Sequence, residues 1–288
     1  MMRNDFAGAL GSRGLRNRSR TDASCIFFPR FISGAPELPN GCGGCAYEED
    51  RFMVLPGFSL FSTIHLIYLF TWFALWVAVP WAGLRYLSLK GRKIAAVWLA
   101  STTIVQEAVD YLNRMSMRDL NAVTDLPLQF CHLAQIFSLV LLFVENKLLF
   151  ELTYFWGLIG ALQAMVTPDL NAFDSQLTLF LFFMHHGLLI LIVFWLVFVT
   201  GRRCRSWAVV RTFMVTNLIM IPIAFVDWSI GANYMYLRTS PVTDNPFVSG
   251  AWPWYIVIIE GVGLVMMTLL QFPMMLARQK SGTRRNSG

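Results

Sequence analysis

The chain has 288 residues, 56% of them hydrophobic, with 24 Phe and 10 Trp, and only 14% charged, against roughly 25% in soluble domains. That balance excludes an ordinary soluble domain and describes an integral membrane protein. The net charge of +6 does not point to nucleic acid, because Lys and Arg gather between apolar runs, where they act as a topology signal.

Residues 1–52 read as a disordered basic leader. Arg3, Arg13, Arg16, Arg18, Arg20 and Arg30 lie among Gly, Ser and Asn with no long apolar run. The segment has the composition of a targeting peptide, and Met53 ahead of VLPGFSLFSTIHLIYLF would serve as a start of its own, making the leader dispensable. GCGGC at 41–45 is a lone C-x-x-C. A zinc site needs two further ligands nearby, so no metal is assigned there.

Residues 53–277 form a transmembrane helical domain, and the expected fold class is all-α and polytopic. Spans of about 20 apolar residues cross a bilayer core as helices. Seven are read near 58–82, 93–113, 125–144, 148–167, 175–199, 206–228 and 252–276. The second carries Gln106, Glu107 and Asp110, so six is the alternative count. The apolar runs are continuous rather than alternating, which argues against a barrel.

One side of these spans collects Arg85, Lys90, Arg92 and Lys93, then Lys147, then Arg202, Arg203, Arg205 and Arg211. The same side holds the tail of residues 278–288, with Arg278, Lys280, Arg284 and Arg285. The other side has Arg51, Arg114, Arg118 and Arg238. The positive-inside rule then places the N-terminus outside and the basic tail in the cytoplasm. The localisation expected is a multi-pass membrane protein, in the plasma membrane if the source is bacterial.

Counting along the predicted spans at 1.5 Å per residue puts several polar side chains at one depth. His65 falls roughly 10 Å below the outer end of its span, Cys131 roughly 9 Å, His185 and His186 roughly 15 Å, and Glu260 roughly 12 Å. Glu107 and Gln163 lie in the same outer half, with Asn217 near mid-span and Asp227 at an outer end. Each alone is ordinary: a membrane Cys is usually a small packing residue, and a lone His usually bonds a neighbouring helix. An ionisable group at a helix centre costs at least about 2.5 kcal/mol, so several at one depth are read as lining a shared cavity open to the outer side. FSLVLLF and LLILIVFWLVFV contain no ionisable residue, which argues against a charged path through the membrane.

Two chemistries fit that layer. In the first, Cys131 is a nucleophile. A buried thiol needs a base to form thiolate; His132 projects about 100 degrees away on the same helix, so His185 or His186 is the better partner. Glu107 or Glu260 would orient the imidazole, as the third member of a triad does. In the second, His65, His132 and His185 or His186 with a carboxylate hold zinc or iron. No H-x-x-x-H or H-E-x-x-H spacing supports it, so no metal and no cofactor are assigned.

LPLQFCHLAQIF, ELTYFWGLIGALQAMVTPDL, FFMHHGLLIL and GANYMYLRTSP, in that order, resemble the family of membrane proteins that includes animal transmembrane protein 164 and the bacterial YwaF-like proteins. The resemblance covers roughly residues 56–276. It implies a helical membrane fold similar to that of the androgen-induced, fatty-acid-ester-hydrolysing membrane proteins. It also implies phospholipid acyl transfer through a Cys and a His, which map onto Cys131 and onto His186, beside Gly187, with His185 as the alternative. Relatives carry His two positions before the cysteine, where this chain has Gln129, which puts an auxiliary role there in doubt.

The function expected is therefore a lipid acyltransferase or lipid-ester hydrolase acting on a phospholipid or fatty-acyl ester, with membrane lipids as partners. Gln129, Gln163, Asn233 and Tyr234 are candidates for polarising the ester carbonyl. The alternative is a small-solute or ion binding or transport protein without catalysis. Such a protein would carry broken helices, for which Gly157, Gly160 and Pro222 are candidate weak points.

Overall fold

A computed structural model describes residues 58–170, 173–240 and 251–286. The leader and GCGGC lie outside the described residues. Those described, all within one compact unit, are helical with no strand among them. The elements are α1 (Thr63–Tyr86), α2 (Leu89–Met117), α3 (Phe130–Leu141), α4 (Lys147–Val166), α5 (Gln176–Phe194), α6 (Ala208–Ile230) and α7 (Trp254–Asn286). A π-helical segment, Trp195–Val199, continues α5.

Five helices are long and apolar enough to cross a membrane: α1, α4, α5 with its continuation, α6, and Trp254–Leu276 of α7. The chain is thus built as a multi-pass membrane protein. Sequence signals set the starts. Ser62, Ser88, Asn146 and Ser175 each accept a first-turn N–H with the side chain, satisfying donors that a helix leaves unpaired.

Two predicted spans differ from these five. Helix α2 is 29 residues long, about 43 Å, but it carries charged residues along its length. Helix α3 has only 12 residues, about 18 Å, well short of a bilayer core of roughly 30 Å. The cause is local. Pro127 biases the residue before it towards extended backbone, and residues 118–125 fold around Asp125. The Asp125 carboxylate takes two bonds from Arg118, each 2.7 Å, and one from the Asn121 N–H at 2.7 Å. Helix α3 therefore begins only at Phe130.

Helices α4 and α5 form the centre, with 61% and 78% of their apolar windows buried, against 17–22% for α1, α6 and α7. The outer helices turn Phe70, Phe73, Leu218 and Phe225 outward. Apolar rows of this extent suit lipid rather than water. Close approach at the centre depends on glycine: a Cβ on Gly187 would stand 2.1 Å from the Trp72 indole. The neighbouring Trp76 Nε1–H donates to the Gly187 carbonyl at 2.9 Å.

The basic residues counted for topology also close helix ends. Arg92 donates to the Gly83 and Leu84 carbonyls near the end of α1, and Arg203 donates to Val197 at the end of the π segment. Such carbonyls lack intrahelical partners, and the helix dipole favours cations there. Glu151, fully buried in the first turns of α4, receives Arg205 and Arg211 at 2.9–3.0 Å. Cys204, in the connection just before Arg205, is buried too, and that burial pushes its thiol up to about 12.

Candidate functional site

The site lies where α2, α3 and α5 meet. Glu107 and His185 each sit about 15 Å from the helix end on their shared side, the side where Asn113 donates to Thr178 Oγ1 at 3.3 Å. His185 Nδ1 lies 2.5 Å from a Glu107 carboxylate oxygen. Because α3 starts inside the bundle, its first turn reaches the same level. The His132 and His185 rings are 5.0 Å apart. One ligand atom from each of Glu107, His132 and His185 lies within 4.8 Å of the others.

His186 completes the group, its ring 4.9 Å from that of His185. Its Nδ1–H donates to the Phe182 carbonyl at 2.8 Å. That bond fixes the neutral tautomer, leaving Nε2 as the nitrogen with a lone pair. Two imidazole atoms in the group, His132 Nδ1 and His185 Nε2, are buried with no hydrogen-bond partner among the described residues. Buried polar atoms without partners are uncommon, so these call for a functional explanation.

Cys131 occupies the first turn of α3, where helix N–H groups favour a nearby anion. Its Sγ faces Gly160 of α4, 3.4 Å from where a Cβ on that glycine would stand. Among the described residues no hydrogen bond joins Sγ to an imidazole. The 100-degree step between adjacent helical residues sends His132, not Cys131, towards His185.

The remaining polar residues anchor the fold around this group. Helix α1 begins at Thr63, so His65 lies in its first turn rather than well down a span. His65 Nδ1 accepts from Phe61 N at 2.9 Å, and its Nε2–H donates to the Met165 carbonyl at 2.8 Å. With both nitrogens engaged, it stands apart from the cluster. Gln129 accepts from Met235 N at 2.9 Å, and Gln163 donates to Thr167 Oγ1 at 2.5 Å.

Asn233 bonds Arg238 N and Thr239 within its own loop. The Tyr234 hydroxyl accepts from Leu126 N and donates to the Ala122 carbonyl. Asn217 donates to the Phe213 carbonyl, and Asp227 accepts from Tyr234 N. These contacts bind the loop after α6 to the segment before α3. Met235 and Tyr236 hold left-handed backbone at φ 53 and 56, a conformation non-glycine residues adopt only when contacts enforce it. The bond from Met235 N to Gln129 and that from the Tyr255 hydroxyl to the Tyr236 carbonyl, 2.6 Å, supply the enforcement.

The sequence offered the fifth-helix histidines two partners, Cys131 in a thiol site and His132 in a metal site; the structure brings His132 to His185 and turns Cys131 to Gly160. The signal was the combination of Pro127 and Asp125, which delays the start of α3 and sets its rotation. A groove of about 410 Å³ between α1, α2 and α5 is lined by Ile67, Thr71, Leu75, Leu99, Met184 and Leu188. Met184 and Leu188 flank the histidine pair in sequence.

No curated protein and no solved structure matches the chain. The profile of the TMEM164 family matches residues 60–271, which takes in α1 to α6, the first part of α7 and all four sequence motifs. The chain belongs to the TMEM164 family of membrane proteins.

Proposed function

We propose that the protein is a membrane lipid acyltransferase or lipid-ester hydrolase in which Cys131 is the nucleophile and His186 the base. The observation that carries the reading is the interior group of Glu107, His132, His185 and His186 beside the first turn of α3. Ionisable groups inside a helical membrane protein mark function, and Cys131 directly precedes His132 in the first turn of α3. The His186 tautomer supports its assignment as base, since Nε2 is the nitrogen able to take a proton. The apolar groove beside Met184 and Leu188 suits an acyl chain.

In this mechanism His186 Nε2 takes the thiol proton, and Cys131 Sγ attacks the ester carbonyl carbon of a membrane lipid. The carbon–sulfur bond forms and the ester carbon–oxygen bond breaks, the departing alkoxide receiving the proton from His186. A second lipid hydroxyl, or water in the hydrolase variant, then gives its proton to His186 and attacks the thioester, releasing the thiolate. A lipid-lined cavity limits water and favours transfer over hydrolysis. The proposed orientation keeps the N-terminus outside and the basic C-terminal tail in the cytoplasm.

The test is covalent labelling of the detergent-purified full chain with a thiol-reactive acyl-chain probe. Labelling that is lost in Cys131→Ala and strongly slowed in His186→Ala is expected. Labelling that persists in Cys131→Ala excludes the assignment and favours a binding or transport role.

A further inference from the structure

The geometry points to a site for one divalent first-row transition-metal cation, of the zinc type, held by Glu107, His132 and His185. Three observations carry it. First, three different helices bring two imidazoles and a carboxylate to within 4.8 Å of one another. Ligands bonded at about 2.0–2.1 Å in a tetrahedral sphere stand roughly 3.4 Å apart, so small side-chain rotations close the set. Second, the cluster holds unpartnered nitrogen at buried His132 Nδ1, and His185 already turns its Nδ1 to the Glu107 carboxylate, where an ion would replace the shared proton. A bound cation is the partner that a neutral imidazole nitrogen with a lone pair accepts. Third, the donor chemistry is selective. Two imidazoles with one carboxylate suit zinc and its first-row neighbours and do not suit calcium or magnesium, which take oxygen ligands.

Three protein ligands leave an open position, the arrangement of a catalytic rather than a structural zinc. The residues proposed from sequence to polarise an ester carbonyl, Gln129, Gln163, Asn233 and Tyr234, already hydrogen-bond other groups of the protein. A cation at this cluster would supply that polarisation as a Lewis acid. Binding of the ion does not depend on the acyl-transfer reading. Its role as electrophile does.

The full-length protein is purified in detergent, stripped with a chelator, and titrated with Co²⁺ and with Zn²⁺ against a chromophoric competitor. Wild type is expected to bind one equivalent, with the visible d–d absorption of a four- or five-coordinate Co²⁺ site. The variants Glu107→Gln, His132→Gln and His185→Gln are each expected to lose at least about tenfold in affinity, and Cys131→Ala none. Wild-type stoichiometry well below one, or equal binding by the three variants, overturns the site. A thiolate-to-cobalt charge-transfer band overturns it as well, by placing the ion on a cysteine. This optical readout on wild type needs no variant to fold. Metal bound with no Cys131 labelling leaves the site standing and removes the acyl-transfer reading; labelling without metal does the reverse.

Discussion

Glu107 and His185 meet at 2.5 Å in the interior of the bundle and tie α2 to α5. His185 is 7% exposed, so its ring cannot exchange this contact for water. Glu107→Ala leaves the Nδ1 of a buried ring without a partner and is expected to lower stability by about 1–3 kcal/mol. Glu107→Gln keeps an oxygen acceptor and is expected to lose less. Thermal unfolding in detergent reads the difference, and an Ala variant as stable as wild type contradicts it.

The Asp125 knot gives a pH dependence with a defined sign. Its hydrogen bonds to Arg118 hold the Asp125 carboxyl well below the usual carboxylate range, and the unfolded chain returns it to about 3.9. The stabilisation is therefore complete above about pH 4 and is lost as pH falls towards the depressed folded value. Asp125→Asn is expected to be less stable than wild type at pH 7 by about 1–3 kcal/mol. Unfolding midpoints of the two proteins should converge as the pH is lowered from 5 to 2; a constant gap counts against the knot.

Glycine positions divide sharply. Gly187→Ala drives a methyl into the Trp72 indole at 2.1 Å, and overpacking of this kind costs about 1–3 kcal/mol or more. Gly261→Ala in α7 meets nothing within 4 Å and is expected to be neutral or stabilising by up to about 1 kcal/mol. Equal effects in a side-by-side unfolding experiment contradict the packing described for α1 against α5.

Glu151 is fully buried between two guanidinium groups. Glu151→Ala leaves Arg205 and Arg211, both partly exposed, with no anion between them, and is expected to cost about 1–3 kcal/mol. The yield of monodisperse protein and its unfolding midpoint report this loss. Arg211→Lys keeps charge but not the forked geometry and is expected to fall between.

The apolar runs made the helices legible, because length and hydrophobicity alone specify α1, α4, α5, α6 and α7. Helix α3 was legible as apolar but not as short: its length is set by Asp125 contacts with Arg114 and Arg118, which no periodicity displays. Glu107 and the His185–His186 pair were legible as interior polar groups on two helices, because spans of known direction give depth. The contact between Glu107 and His185 followed from that depth; helix rotation, which turns His132 rather than Cys131 towards α5, did not. His65 matched the layer only while its span was taken to start at residue 58; the Ser62 cap moves the helix start and sends the ring to the Met165 carbonyl. LPLQFC and GANYMY are distant in sequence yet meet through Gln129 and Tyr234, a tertiary contact that explains why both strings are needed in one fold.

The most direct test of the central claim is labelling of the purified protein by a thiol-reactive acyl probe, followed by peptide mapping of the modified site. A single modified cysteine, Cys131, is expected, with labelling strongly slowed in His186→Ala and retained when Cys204 is replaced by Ser. Modification confined to other cysteines, or an unreactive Cys131 in folded protein that labels only after denaturation, would contradict the claim.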